Sequence, residues 1–319
     1  MDTRSVNIAD IHPCYSHDAH FRYGRVHLPV APRCNIHCNY CDRRVSDCYH
    51  TFRPGVSARI INAAEAVELV RRAIESEPRI RVAGIAGPGE PLANAATFAA
   101  LQAIHERFPD LILCLSTNGL LLSQHAQELA ALGVKTLTVT VNSIDPIISA
   151  QIYSYVQYDH RRLQREEAAE LLLRRQLQGI EAAVEAGMLV KVNTVLIPGL
   201  NDQHLVEVSS EVARRGAWIQ NIIPLIPLGN FKHRRPPTCD ELRAAREACR
   251  QVLPQFQHCQ QCRADAVGVP GDDFGLQGGS YVVDYPISTT PGESSHTWAG
   301  GLAQGPVRCA GRATRPQSR

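Results

Sequence analysis

Between residues 26 and 253 the chain alternates six times between a short apolar, β-prone run and a longer amphipathic segment, and no other feature restricts the fold as much. The runs predict strands at Val26 to Ala31, Ile80 to Ala86, Leu111 to Ser116, Thr136 to Val141, Leu189 to Leu196 and Trp218 to Ile223. The segments between and after them predict helices at Ala63 to Ile74, Asn94 to Arg107, Gln124 to Leu132, Leu163 to Glu185, Gln203 to Arg215 and Asp240 to Val252. Parallel strands need a crossover connection, so six β-then-α units imply one parallel sheet with helices outside it. Six strands rather than eight close only part of a barrel. The expected class is therefore α/β, with a partial (βα)6 barrel over residues 26–223.

Alternation within the strands indicates which face carries chemistry. Leu111, Leu113 and Leu115 share one face while Ile112, Cys114 and Ser116 share the other. Thr136, Thr138, Thr140 and Asn142 oppose Leu137, Val139 and Val141, and Lys191 and Asn193 oppose Val190 and Val192. A sheet covered by helices is ordinarily apolar on both faces. The polar second face predicts a cavity for something polar or metallic. Threonine's preference for strands explains Thr138, but not Cys114, Asn142, Lys191 and Asn193 together.

Residues 1–25 read as an N-terminal extension and 224–270 as a C-terminal one, broken by Pro224, Pro227, Gly229, Pro236 and Pro237. Residues 271–319 are rich in Gly, Pro, Ser and Thr without periodicity and read as a flexible tail. Lys and Arg number 33 against 31 Asp and Glu, a formal net charge of +2, so there is no polybasic footprint for nucleic acid or a membrane surface. No uncharged apolar run approaches the ~20 residues of a spanning helix, and no basic-then-apolar leader opens the chain. A cytoplasmic protein is expected, with neither nucleic acid nor membrane as partner.

The 11 cysteines are odd in number and clustered, which favours metal or catalysis over a disulfide framework. Cys34, Cys38 and Cys41 form C-x3-C-x2-C directly after the first strand, at the mouth where α/β barrels place their sites. Three thiolates that close can ligate three irons of one cubane and leave the fourth open. A zinc site, the alternative, would want a fourth ligand and usually a paired C-x2-C. Cys259 and Cys262 form C-x2-C, and Cys14 and Cys48 flank the first group. Cys239 and Cys249, near the last helix, read as packing cysteines, and Cys309 as a thiol without a role.

With Tyr40 just before its last cysteine, the Cys34 to Cys41 segment resembles the signature of the radical S-adenosylmethionine (SAM) superfamily. That resemblance implies a 4Fe-4S cluster on Cys34, Cys38 and Cys41 whose open iron binds SAM and cleaves it to a 5′-deoxyadenosyl radical. Gly87-Pro88-Gly89-Glu90, ending the second strand, is similar to the superfamily's glycine-rich segment that receives the methionine amino group. Glycine permits close backbone approach and a carboxylate complements an ammonium, although alone the tetrapeptide is also an ordinary turn. Ser116 and Asn118, Asn142, and Ile197 with Pro198 and Gly199 end strands three, four and five, where the superfamily contacts the rest of SAM. Each also fits turn chemistry.

His12-Pro13-Cys14-Tyr15-Ser16, the G-P-G-E segment, and His258-Cys259-Gln260-Gln261-Cys262-Arg263-Ala264-Asp265-Ala266 together resemble the family of nitrogenase iron-molybdenum cofactor maturases, from about residue 11 to about residue 270. The resemblance implies two further 4Fe-4S clusters as precursors. It also implies SAM-dependent methyl transfer and hydrogen abstraction, and fusion of the two into an 8Fe-9S core around a carbide. By position, Cys14, His20 and Cys48 would ligate one precursor and Cys114, Cys259 and Cys262 the other. His12, His17 and His27 lie near His20, and the nitrogen ligand stays open among them. Implied partners are iron-sulfur cluster donors, an electron donor such as a ferredoxin or flavodoxin, and a downstream cofactor scaffold or carrier. Two other readings share the first motif: a radical SAM enzyme acting on a peptide or small molecule with auxiliary electron-transfer clusters, and a non-catalytic iron-sulfur carrier. The tail after Asp273 does not resemble the family's usual ending.

Overall fold

A computed structural model describes residues 7–45 and 53–273. Its main sheet has eight strands: β1 (Gly24–His27), β2 (Ile80–Ile85), β3 (Ile112–Thr117), β4 (Val134–Thr140), β5 (Leu189–Leu196), β6 (Ile219–Pro224), β7 (Val267–Val269) and β8 (Asp272–Asp273). They lie in the order β6-β5-β4-β3-β2-β1-β7-β8. The first six are parallel and neighbour one another in chain order. β7 runs antiparallel to β1, and β8 to β7. The sheet is open, its edges being β6 and β8, so the class is the expected α/β partial barrel with an antiparallel pair added beside β1. Val267-Gly268-Val269 is too short for periodicity to mark it as a strand.

Six helices accompany the parallel strands: α1 (Ala63–Ser76), α2 (Ala95–Arg107), α3 (Leu122–Ala131), α4 (Arg165–Glu185), α5 (Leu205–Arg214) and α6 (Cys239–Arg250). Capping boxes start two of them, Asn62 with Glu65 on α1 and Thr238 with Glu241 on α6. The helices bury stripes such as Ala66, Val70 and Ala73 against Leu113, Leu115, Leu137, Val139, Val190 and Val192. Gly179 lets α4 lie against α3, since a Cβ there would sit 2.8 Å from that of Leu122.

The terminal extensions take the opposite face. Tyr15 donates its buried hydroxyl to the carbonyls of Leu137 (2.6 Å) and Leu189 (3.2 Å). Residues 254–256 run along β6, Gln220 donating to Pro254 O (2.8 Å) and Phe256 to Gln220 O (2.7 Å). Tyr15 and Phe256 pack together with Ala9 and Ile219. Asp273 reaches Arg25 at 2.5 Å, so the ordered extension continues past residue 270, where the tail was expected to begin. Residues 274–319, with Cys309, lie outside the described residues.

Several short elements carry no sequence signal. These are the helices Ile8–Ile11 and His17–Arg22, capped by Asn7 and Ser16, and helix Pro146–Ile152 with the hairpin Tyr153–Tyr158 and Arg161–Leu163. The hairpin occupies the ground between β4 and α4, and α4 starts at Arg165 rather than Leu163. Cys249 is buried among Leu196, Leu205, Ile222 and Leu242, as a packing cysteine should be; Cys239 instead belongs to a disulfide. Among the described residues no helix is long and apolar enough to cross a membrane.

Tyr15→Phe leaves two strand carbonyls without their buried donor. The variant is expected to be less stable by about 1–2 kcal/mol, read as a lower denaturant midpoint at unchanged slope for the cluster-free chain.

Candidate metal centre

Cys34, Cys38 and Cys41 lie on the loop after β1, and all three are half-buried. The loop is held from four sides. Residues Ile36–Cys38 pair with the hairpin, Ile36 opposite Val156 and His37 opposite Tyr155. Asn39 receives N–H groups from Phe231 and Asn230 (3.0 and 2.9 Å) and donates to the carbonyls of Ile152 and Gln151 (2.8 and 2.7 Å). Gly229, at φ +52°, permits that approach: a Cβ there would stand 2.8 Å from the carbonyl oxygens of both Asn39 and Cys41. Asn94 grips both backbone groups of Arg33, accepting at 3.3 Å and donating at 2.9 Å.

The G-P-G-E segment forms the fourth side. Gly89 N–H donates to Ala31 O (2.7 Å) and Glu90 N–H to Arg33 O (2.8 Å). A Cβ on Gly89 would meet Arg33 O at 2.3 Å, so only glycine fits beside the residue that precedes Cys34. Gly87, at φ +123°, and Pro88, bridged to Ala31, continue this contact. Glu90 is buried, and its carboxylate accepts from Leu92 N–H (3.1 Å), Thr117 hydroxyl (2.5 Å) and Asn118 N–H (2.7 Å). Burial pushes its pKa up to about 7 despite these three donors. The carboxylate thus ties the end of β2 to the end of β3.

The other residues expected at SAM also brace the loop. Asn118 donates to Asn35 Oδ1 (2.7 Å). Asn142 donates to the hydroxyls of Tyr40 (2.9 Å) and Tyr153 (3.0 Å) and accepts from Val195 N–H (2.9 Å). Ile197 is buried, its N–H donating to Asn201 Oδ1 (2.8 Å). Ser116 is half-buried at the end of β3. Gln176 was not singled out from sequence; from α4 it donates to Asn118 O (2.9 Å) and Thr140 O (2.8 Å), linking the ends of two strands.

A second group of thiols gathers under the terminal extensions. Cys114, Cys259 and Cys262 each lie close enough to Cys14 to act on it electrostatically, Cys259 acts on Cys262, and Lys191 acts on Cys14 and Cys114. Lys191 is buried, donates to Cys14 O (3.3 Å), and sits 5.3 Å and 5.5 Å from the ring centres of Tyr15 and Phe256. Arg25 donates to Cys262 Sγ (3.0 Å) and Gly268 O (2.7 Å). Asp265 holds Arg263 through two bonds (2.7 and 2.9 Å) and accepts from Ala58 N–H (2.7 Å), which fixes the R-A-D stretch after Cys262. Cys48 lies outside the described residues.

Hydrogen bonds distinguish the imidazoles. Cys14 N–H donates to Nδ1 of His12 (3.1 Å), so the proton of neutral His12 is on Nε2. His20 Nδ1 faces Pro13 O (2.9 Å) and His27 Nδ1 faces Arg263 O (2.9 Å), so both carry the proton on Nδ1 and leave Nε2 as a lone pair. Burial lowers the pKa of each of these two to about 4. His20 Nε2 is buried without a partner, but its ring lies among Phe21, Phe256 and His258. His27 and Cys114 flank Gly84 on neighbouring strands, where a Cβ would meet the imidazole at 3.3 Å and Cβ of the cysteine at 3.7 Å, so the space between them is open. Nothing in the spacing of H-P-C-Y-S distinguishes these two histidines.

The donor set suits iron-sulfur clusters. Burial, with the Glu90 carboxylate second, raises Cys34 to about 11, and burial with crowding thiols raises Cys14 to about 12. Such thiols ionise when a cationic centre supplies the missing charge. Among the described residues no three His, Cys, Asp or Glu side chains converge as ligands of a single metal ion do. Thiolates that each hold a different iron of one cube stand farther apart.

Residues 28–212 match the radical SAM superfamily. The chain is 47% identical over 269 residues to the FeMo cofactor biosynthesis protein NifB of Methanocaldococcus jannaschii, covering 84% of this chain and 89% of that relative. The chain belongs to the NifB family. The Methanocaldococcus infernus NifB is 48% identical, over 81% of this chain and 85% of its own length. Against the Klebsiella pneumoniae NifB the identity is 47%, but the match spans only 59% of that longer relative. In fold the chain is similar to Streptococcus suis SuiB, with a TM-score of 0.54, 13% identity, and coverage of 75% of this chain and 50% of that one. Membership of the NifB family carries with it radical SAM chemistry, a 4Fe-4S cluster and a role in nitrogenase cofactor biosynthesis.

Gly89→Ala is expected to displace the segment entering Cys34, costing about 1–3 kcal/mol and lowering iron retained per chain, with far-UV circular dichroism unchanged. Glu90, a carboxyl raised from its ordinary 4.5 to about 7, makes the folded chain bind more protons than the unfolded one between those values. Its contribution to stability therefore falls as pH rises from 4.5 to 7. Denaturation of the cluster-free chain across that range should show the advantage of wild type over Glu90→Gln shrinking.

Proposed function

We propose that this chain joins two 4Fe-4S substrate clusters, with a SAM-derived carbide and a ninth sulfide, into the 8Fe-9S-C precursor of the nitrogenase cofactor. The single observation that carries the reading is that Cys114, Cys259 and Cys262 lie near Cys14 on the polar face of the sheet, with Lys191 at Cys14 and Arg25 at Cys262. A SAM enzyme with no cluster beyond the resident one has no need of that second set of soft ligands, and the products released from SAM separate substrate clusters from auxiliary electron-transfer clusters.

Cys34, Cys38 and Cys41 would hold the resident cluster, which when bound supplies the electron for reductive cleavage of SAM. Gly89, Asn94 and Glu90 keep the loop under them in place, and Gly87, Ser116, Asn118, Asn142 and Ile197 line the strand ends offered to SAM. Cys14, Cys48 and an imidazole, His20 or His27, would grip one substrate cluster; Cys114, Cys259 and Cys262 the other. A nitrogen ligand holds iron less firmly than thiolate, which suits a cluster that must be released. SAM would supply the methyl group from which the carbide is made and, with the resident cluster, the radical that starts removal of its hydrogens; the part of the chain would be to hold SAM and the two substrate clusters together. In this division residues 1–25 and 224–273 supply ligands, and 26–223 supplies the SAM chemistry. The protein works in the cytoplasm, taking clusters from iron-sulfur donors, electrons from a ferredoxin or flavodoxin, and passing its product to a cofactor carrier.

Anaerobic reconstitution should give about twelve irons per chain, four for each of three clusters. Cys262→Ala should lower this to about eight and keep the signal of the resident cluster. Incubation with SAM and dithionite should then release both S-adenosylhomocysteine and 5′-deoxyadenosine. Four irons with all thiols intact, or deoxyadenosine as the sole product, would overturn the proposal in favour of an ordinary SAM-cleaving enzyme, and neither product in favour of a carrier.

A further inference from the structure

Arg25 is one of the largest fully buried side chains in the protein, and its surroundings are unusual for a guanidinium. One terminal nitrogen donates to Gly268 O on β7 (2.7 Å). The other donates to Cys262 Sγ (3.0 Å) and stands 2.5 Å from Asp273. A buried arginine is normally neutralised by a carboxylate that faces it through two parallel bonds. Here, among the described residues, the only carboxylate within reach takes one contact, and a sulfur accepts the other bond of that nitrogen. The field of Arg25 is therefore directed at one thiol of the buried group.

We infer that Arg25 is a positioning residue that sets the reduction potential of the cluster held by Cys114, Cys259 and Cys262. The inference rests on the reading of those three residues as cluster ligands. A hydrogen bond and a positive charge at a ligand sulfur withdraw electron density from it and favour the reduced cluster. Asp273 opposes this by partly neutralising the guanidinium. The pair makes the two substrate clusters electronically unequal: among the described residues no cation donates to the sulfur of Cys14, and Lys191 is engaged by the carbonyl oxygen of that residue.

The test is a potentiometric titration of the reconstituted full chain followed by EPR, the relevant signal being the one that disappears in Cys262→Ala. Arg25→Gln should make that cluster at least tenfold harder to reduce, a shift of about 59 mV to lower potential for one electron. Asp273→Asn should shift it in the opposite direction, and this variant decides the matter if Arg25→Gln fails to fold or to load. Shifts of the same sign, or none with iron content at the wild-type level, would mean that Arg25 only anchors β7 and would overturn the inference. A Cys262→Ala variant with unchanged iron and EPR would instead remove the cluster from this place, and the functional reading with it.

Discussion

A parallel sheet buries both of its faces, and in this chain only one is apolar enough to take helices. The strand positions that face away from the helices carry Cys114, Thr136, Thr138, Lys191 and Asn193. Covering an ammonium and a thiol with a leucine-rich helix would leave both without partners, at a cost of several kcal/mol. The two ends of the chain solve this instead. Tyr15 and Phe256 offer Lys191 the faces of two rings, and Cys14 offers a carbonyl. The placement of Cys14, Cys259 and Cys262 follows from the same solution, because they sit in the segments that do the covering.

The barrel and its polar face were legible because each depends on long periodic stretches. Six strands and six helices lie where alternation places them, within a few residues. The signature cysteines were equally plain, since three thiols in eight residues have few other uses. What could not be read were features made by contacts between distant residues. Arg25 looks like any strand arginine until Cys262 comes beside it, and His27 looks no different from His20 until Gly84 is seen to leave the space between it and Cys114 open. The expected SAM residues show the limit from the other side. Residue type and strand end were visible for Glu90, Asn118 and Asn142, but their commitment to backbone and tyrosine partners was not.

Glycine has a consistent part in the candidate site. Gly89 and Gly229 approach the carbonyl oxygens of the loop from two directions, and neither leaves room for a methyl group. The three thiols are therefore set by backbone packed on backbone, which is stiffer than side-chain packing. In the proposed reading, in which the three thiols meet a rigid inorganic cube, that stiffness reduces the ordering left to be done on binding.

The C-terminal extension runs from the outer edge of β6, through the two cysteines, to a strand beside β1. Arg25 and Cys262 meet across 237 positions of sequence. A chain still emerging from the ribosome owns the Cys34 to Cys41 loop long before it owns this strap. Cys259 and Cys262 can join Cys14 and Cys114 only after all six parallel strands have been made, so the two thiol groups are assembled in succession, and that succession is written into the topology.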